Sequence, residues 1–234
     1  MTDERSAVFL PLFPLQTVLL PSVELPLHLF EPRYRQLALD LLTGAAPDRR
    51  FAVVAIRTSA VREVETLDHV HPIGCSAIMG DCERLPDGRF DITTTGERRF
   101  RLVEIDRTRA PYLVGRIEWL PDENLSPETG EAAARLADAA RSAHRKYCES
   151  AWDRNSWHPP PPGTESAELA YLLASDCLLP VPDRQRLLEE RHPLRRLRLL
   201  CHLLAREAGF LSTLRAVPAP PPELVDLSAP ASLN

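Results

Sequence analysis

The chain has 234 residues, room for one or two domains and enough to bury a sizeable core without disulfides or metals. Apolar residues are 44% and charged residues 26%, which excludes global disorder. With 28 basic against 33 acidic side chains the net charge is −5, which argues against a dedicated nucleic-acid binder, and no run of about 18 apolar residues is present to span a membrane.

The N-terminus, MTDERSAVFL, starts acidic, and its apolar stretch is soon broken by Pro11 and Pro14. It does not read as a signal peptide, and a cytoplasmic location is expected. Lys146 is the only lysine, and no GxxxxGK occurs, so a P-loop is absent. Glycine is scarce at 9 and proline abundant at 23, and no GxGxxG phosphate cradle is present. The five cysteines, Cys75, Cys82, Cys148, Cys177 and Cys201, are odd in number and include no CxxC pair. They are expected to be reduced, mostly core thiols, with no structural metal.

Up to about residue 124 the pattern is that of strands. A helical insert begins at Pro32, where Tyr34, Leu37 and Leu41 recur at helical spacing and Gly44 can end the helix. Phe51 to Ile56 is a short apolar run rich in valine, the mark of a buried strand. Residues 71–85 and 89–95 flank Pro86-Asp87-Gly88, a hairpin signal, and Phe90, Ile92 and Thr94 alternate with polar neighbours. Glu97-Arg98-Arg99 reads as a charged turn between two strands, and a further strand follows Leu113.

From residue 125 the pattern turns helical. Ser126, Pro127 and Glu128 suit a helix start, followed by an apolar stripe through Ala132, Leu136, Ala139, Ala140, Ala143 and Tyr147. HPPPPG at 158–163 interrupts it, and Thr164 is placed to cap a second helix through about Cys177. A third helix is expected from Asp183 to Arg191. A fourth opens at Pro193, with Gly209 where a left-handed C-terminal residue would stand. The organisation expected is therefore a β-rich part over 1–124, a helical bundle over 125–216 and a proline-rich tail over 217–234.

Clusters that could carry chemistry are few. His69 and His71 would share a strand face as metal ligands, but no third ligand follows at telling spacing. Gly74-Cys75-Ser76 starts like a nucleophile elbow and lacks the second glycine of GxSxG. Arg184, Arg186, Arg191, Arg195, Arg196 and Arg198 are interleaved with acids, which favours local ion pairs over an anion site.

Several segments together are more specific: Phe13-Pro14-Leu15, Val18 to Pro21, Leu27-His28-Leu29-Phe30-Glu31-Pro32-Arg33-Tyr34, HPIGCSAIM around Gly74, and Thr95-Gly96-Glu97-Arg98-Arg99-Phe100. With Tyr112 to Val114 and the Asp183 to Glu189 stretch after Leu178-Leu179, they resemble the N-terminal substrate-binding domain of Lon proteases, also found as free-standing proteins, over about residues 8–210. HPPPP and the proline-rich tail depart from that pattern.

The resemblance implies an α+β fold, a PUA-like β pseudobarrel with one helical insert followed by a C-terminal α-helical bundle. It also implies a non-catalytic peptide- or protein-binding module. The family's protease carries its ATPase module and Ser–Lys dyad after this region, and this chain offers neither a P-loop nor a plausible dyad. The implied partner is an unfolded or extended polypeptide, or a protein partner. No cofactor, nucleic acid or membrane is expected. Candidate peptide-binding residues are Phe30, Arg33 and Tyr34, where the proline-rich first segment meets the helix at Pro32; a packing role for the aromatics competes with this. The alternative reading is a PUA-like barrel that binds RNA or another anionic ligand, or an uncharacterised hydrolase. Charge weighs against the first and missing dyads against the second.

Overall fold

A computed structural model of the chain describes residues 8–61, 63–126, 130–151 and 157–214. The chain divides into two compact units, the first ending at Pro121 and the second beginning at Asp122. The proline-rich tail expected at 217–234 lies outside the described residues, as do Pro127 and Glu128 of the expected helix start.

The first unit is a six-stranded mixed sheet. Its elements are β1 (Val8–Leu15), β2 (Glu24–Leu29), α1 (Pro32–Thr43), β3 (Arg50–Ala55), β4 (Ile73–Arg84), β5 (Phe90–Asp106) and β6 (Val114–Trp119). The strand order is β2-β5-β4-β3-β1-β6, and β5 pairs again with β6, which closes the sheet on itself. Closure depends on the length of β5: its first part pairs β2 (Phe90↔Leu29 to Thr95↔Glu24) and its last part pairs β6 (Phe100↔Trp119 to Asp106↔Val114). Inside lie Leu12, Val54, Phe100, Leu102 and Ile117, each no more than 4% exposed.

β1 carries two prolines yet has a neighbour on each side. It pairs antiparallel with β6 over Val8 to Pro11 and parallel with β3 over Leu12 to Leu15. Leu12 donates to Leu113 and Leu15 accepts from Ile56, so backbone groups of even positions face β6 and those of odd positions face β3. Pro14 thus turns its missing N–H to the β6 side, beyond the last paired residue there. Pro11 turns its own to the β3 side, one residue before that register begins.

The expected helical insert forms as α1, with Pro32 in its first turn and Gly44 at φ 81 as its left-handed cap. The Asp87-Gly88 hairpin forms too: Leu85 donates to the Arg89 carbonyl at 2.9 Å, and Gly88 has φ 84. Glu97-Arg98-Arg99 is not a turn. These residues lie inside β5, where each charge is absorbed laterally: Arg50 grips Glu97, Arg98 lies 3.9 Å over the Trp119 ring, and Arg99 is buried. His69 and His71 do not share a strand face either. Leu67–His69 is a 3-10 turn, in which His69 Nδ1 accepts from the Glu65 N–H at 3.2 Å.

The second unit is helical: α2 (Gly130–Ala151), α3 (Ser166–Ser175), α4 (Val181–Glu189) and α5 (Pro193–Leu214), with α5 packed on α2 and α3. On α2 the buried residues are Ala140, His144, Tyr147 and Cys148, whereas Ala132 and Ala139 are exposed. Alanines bury too little area to set a helix face, and the large Tyr147 decides it. Thr164 caps no helix; its hydroxyl donates to the Pro161 carbonyl at 2.7 Å, and Glu165 stands at the start of α3. The same proline loop is held to α2 by Arg141, which donates to the Pro160 and Pro161 carbonyls at 2.6 and 2.7 Å. α4 begins two residues earlier than expected, with Pro182 in its first turn. α5 runs through Gly209 rather than ending there, because burial of Ala208 outweighs the roughly 1 kcal/mol helix penalty of glycine.

No helix among the described residues is long and apolar enough to cross a membrane.

Candidate functional site

The glycines of the HPIG and TGERRF segments are packing positions. A Cβ on Gly74 would stand 2.3 Å from the Val53 carbonyl oxygen and 2.5 Å from the tip of the Phe100 ring. A Cβ on Gly96 would stand 2.1 Å from the Leu20 carbonyl oxygen. Between them lies Ser76, fully buried, which donates to Glu97 Oε2 at 3.0 Å and accepts from the Arg98 N–H at 3.2 Å. Ser76 is therefore a strand-bridging hydroxyl rather than a nucleophile. Burial pushes the neighbouring Cys75 thiol well above its ordinary range, which keeps it protonated and inert.

The first turn of α1 presents the predicted trio. Glu31 precedes the helix in extended conformation, and its carbonyl accepts from the Tyr34 and Arg35 N–H groups at 3.0 and 2.9 Å. Arg33 bonds Glu31 at 2.8 Å, reaches Glu63 at 3.4 Å, and lies 5.0 Å over the Tyr34 ring. Its Nε–H has no hydrogen-bond partner among the described residues. Tyr34 is only 7% exposed, its ring 4.1 Å from Phe13, and burial pushes its hydroxyl up to about 12. Phe30 is half-buried and stacks on His28 at 6.2 Å; His28 in turn contacts Asp91 at 2.6 Å and Arg89 at 3.1 Å. Phe30 and Arg33 are thus partly exposed, with Tyr34 in the core beneath Arg33 and Phe30 held against His28 instead. Leu39 and Leu42, exposed by 37% and 47%, leave further apolar surface on α1.

Beside this turn runs β2, which among the described strands pairs only with β5. Gly96 donates to the Val23 carbonyl, so the backbone groups of Val23, Leu25, Leu27 and Leu29 face β5 and those of Glu24, Pro26 and His28 face outward. Pro26 has no N–H to give, so this edge cannot offer a continuous row of donors.

The helical unit holds a second cluster. His144 and Cys148 sit four residues apart on one face of α2, and Cys177 follows α3; all three are buried, and their ligand atoms lie within 4.8 Å of one another. His144 Nε2 is 3.4 Å from the Cys148 sulfur and 3.3 Å from Asp176 Oδ2. Burial opposes charge on His144, but hydrogen bonds with Asp176 and Cys148 outweigh it and raise its pKa to about 9. A hydrogen bond from Cys177 and the His144 charge hold Cys148 below the ordinary thiol range, while burial pushes Cys177 above it. At 0–1% exposure no substrate can reach this trio, so it is not a hydrolase centre. This group has neither a CxxC nor a paired-histidine spacing to mark it in the sequence. The available signal was H-x-x-x-C on a helical face, but the third member comes from a loop whose placement only the fold decides.

Three of the six clustered arginines are held by neighbouring acids. Arg186 pairs with Asp183 at 3.2 Å, Arg195 pairs with Glu123 at 2.8 Å, and fully buried Arg196 bonds Asp122 together with the Ala167 and Glu190 carbonyls. The shallow depression of about 510 Å³ beside it is lined by Glu123, Glu189 and Glu190 as well as Arg186 and Arg191, a mixed-charge surface ill suited to a polyanion.

The ATP-dependent protease La (LON) substrate-binding domain family matches residues 9–206. The chain belongs to this family. Curated relatives include a Lon protease of Chloroherpeton thalassium, 27% identical over 86% of this chain and 23% of its own length, and a Lon protease of Trichlorobacter lovleyi, 27% identical over 89% of this chain and 25% of its own. The chain thus spans about a quarter of the length of these relatives. Among solved structures, a Lon N-terminal domain protein from Xanthomonas campestris aligns with TM-score 0.57 and 27% identity, over 83% of this chain and 98% of that one. The N-terminal domain of a Mycobacterium avium complex Lon protease aligns with TM-score 0.60 at 18% identity, a likeness of fold. As a Lon substrate-binding domain, the chain keeps its LFEPRY segment at the start of α1 and its TGERRF segment at the centre of β5, the α+β arrangement the resemblance implied.

Proposed function

We propose that this chain is a non-catalytic module that binds extended or partly unfolded polypeptide. The family match over residues 9–206, to a domain described by its substrate-binding role, carries the reading. The chemistry of the chain supports it. The sequence has no P-loop and a single lysine, and burial takes the candidate nucleophiles Ser76, Cys75 and the His144 group out of a substrate's reach. ATP hydrolysis and peptide cleavage by this chain alone are therefore not expected.

The binding surface we assign is the first turn of α1 with the β2 edge beside it. Phe30 supplies an apolar contact and Arg33 a guanidinium held in place by its two acidic neighbours. Because Pro26 interrupts the outward donors of β2, side chains rather than a continuous backbone ladder carry the affinity, which suits clients of varied sequence. Fluorescence anisotropy with a labelled, permanently unfolded model protein tests this. Saturable micromolar binding that the folded form of the same model protein does not show is the expected result. Equal binding of both forms, or none, refutes the reading.

A further inference from the structure

We propose that His144, Cys148 and Cys177, with Asp176 as fourth ligand, form a metal site of the zinc class inside the helical unit. This site is independent of the polypeptide surface on the β unit. The donor set is two thiolates, one imidazole and one carboxylate, a combination that favours a tetrahedral zinc ion over oxygen-seeking calcium or magnesium. The spacing fits. Ligands bound at about 2.0–2.3 Å in a tetrahedron stand about 3.3–3.8 Å from one another. Nε2 of His144 lies 3.4 Å from the Cys148 sulfur and 3.3 Å from Asp176 Oδ2. The Cys177 sulfur lies within 4.8 Å of both the Cys148 sulfur and the His144 nitrogen, so the three donors already converge.

Both the setting and the charge count agree with this assignment. The imidazole edge is covered by Trp157 at 5.5 Å, and His144, Cys148 and Cys177 are 0–1% exposed, as a structural site requires, while the Asp176 side chain, 27% exposed, stands on the solvent side. On binding, both thiols enter as thiolates and His144 as neutral imidazole, and the displaced protons pass to solvent. A dication with two thiolates and one carboxylate leaves one net negative charge. Arg184, whose side chain interacts electrostatically with Cys177, stands ready to balance it. The ion would join α2 to the turn between α3 and α4, elements far apart in sequence, and would add its binding free energy to folding.

The test uses the full 234-residue chain without a histidine tag, purified under reducing conditions, stripped with chelator and titrated with zinc or cobalt. Elemental analysis should find one zinc per chain after gel filtration, and zinc should raise the melting temperature in a way chelator reverses. The cobalt form of the wild-type chain should show thiolate-to-cobalt charge-transfer bands and the intense visible bands of tetrahedral coordination. Cys148→Ser and Cys177→Ser should each weaken binding by about 100-fold or more, whereas Cys201→Ser should leave it unchanged. Because a core variant could fail to fold, the wild-type cobalt spectrum decides by itself: cobalt bound without sulfur bands overturns the proposal. So does failure to retain zinc at micromolar concentration, or a Cys148–Cys177 disulfide in metal-free protein as the only chemistry of the pair.

Discussion

Arg50 on β3 grips Glu97 on β5 through two hydrogen bonds of 2.7 and 3.0 Å, reaching across β4, whose Ser76 donates to the same carboxylate. One side chain of the TGERRF segment thereby ties three strands at the point where the sheet register shifts between Cys75 and Ala77. Burial raises the pKa of Glu97, but the hydrogen bonds from Arg50 and Ser76 outweigh it and hold the carboxyl below the ordinary glutamate value.

A pH dependence of stability follows from this link. A carboxyl with a folded pKa below its unfolded one stabilises fully above the ordinary value of 4.5, and that stabilisation is lost as pH falls through the folded value. Glu97→Gln should lower stability at neutral pH by about 1–3 kcal/mol. It should also flatten the acid limb of a urea-midpoint profile taken from pH 7 to pH 3. A variant with the wild-type acid limb would show that Glu97 does not carry it.

Gly96→Ala should be among the most damaging single changes in the β unit. Its Cβ would collide with the Leu20 backbone at 2.1 Å, and backbone does not yield as a side-chain tip does, so a loss of about 3 kcal/mol or more is expected. Gly130→Ala is the contrasting case: nothing lies within 4 Å of its Cβ position, and it should be neutral or slightly stabilising. Urea denaturation of the pair provides the comparison.

For the polypeptide surface, Phe30→Ala and Arg33→Ala should weaken binding of an unfolded client several-fold while leaving the melting temperature within a few degrees. Tyr34→Ala should do the reverse, costing about 3–5 kcal/mol of stability through the cavity left against Phe13. Anisotropy and calorimetry on the same samples separate the two effects. If Arg33→Ala binds like the wild type, the surface is wrongly placed.

Arg196 is fully buried and lies 4.3 Å over the Tyr171 ring while bonding Asp122 and two carbonyls. Arg196→Ala should destabilise the helical unit by about 3–5 kcal/mol, because it strands a carboxylate and two acceptors. Arg196→Lys should rescue little of this, since an ammonium cannot reproduce the planar fork. Thermal unfolding followed by far-UV circular dichroism reads both variants.

Much of the fold was legible in the residues themselves. The Pro32 to Gly44 helix, the Asp87-Gly88 hairpin and the alternation from Phe90 to Thr94 are local codes, written in backbone preference and hydrophobic period. The motif segments, read together, led to the family. What the tertiary structure alone decided were features in which distant residues supply the partner. Three adjacent charges usually face water, as in a turn, yet inside this long strand Arg50 and Ser76 hold Glu97, Trp119 carries Arg98 and Arg99 is buried. The two prolines of β1 lie within a paired strand because the chain exchanges neighbours at Pro11 and Leu12, a fact no local pattern contains. Gly209 continues a helix because burial beside it outweighs propensity. The His144, Cys148 and Cys177 group exists only once α2 and the turn after α3 are packed together. Local preferences are worth tenths of a kcal/mol to about 1 kcal/mol per residue, and packing overrides them wherever a buried contact is worth more.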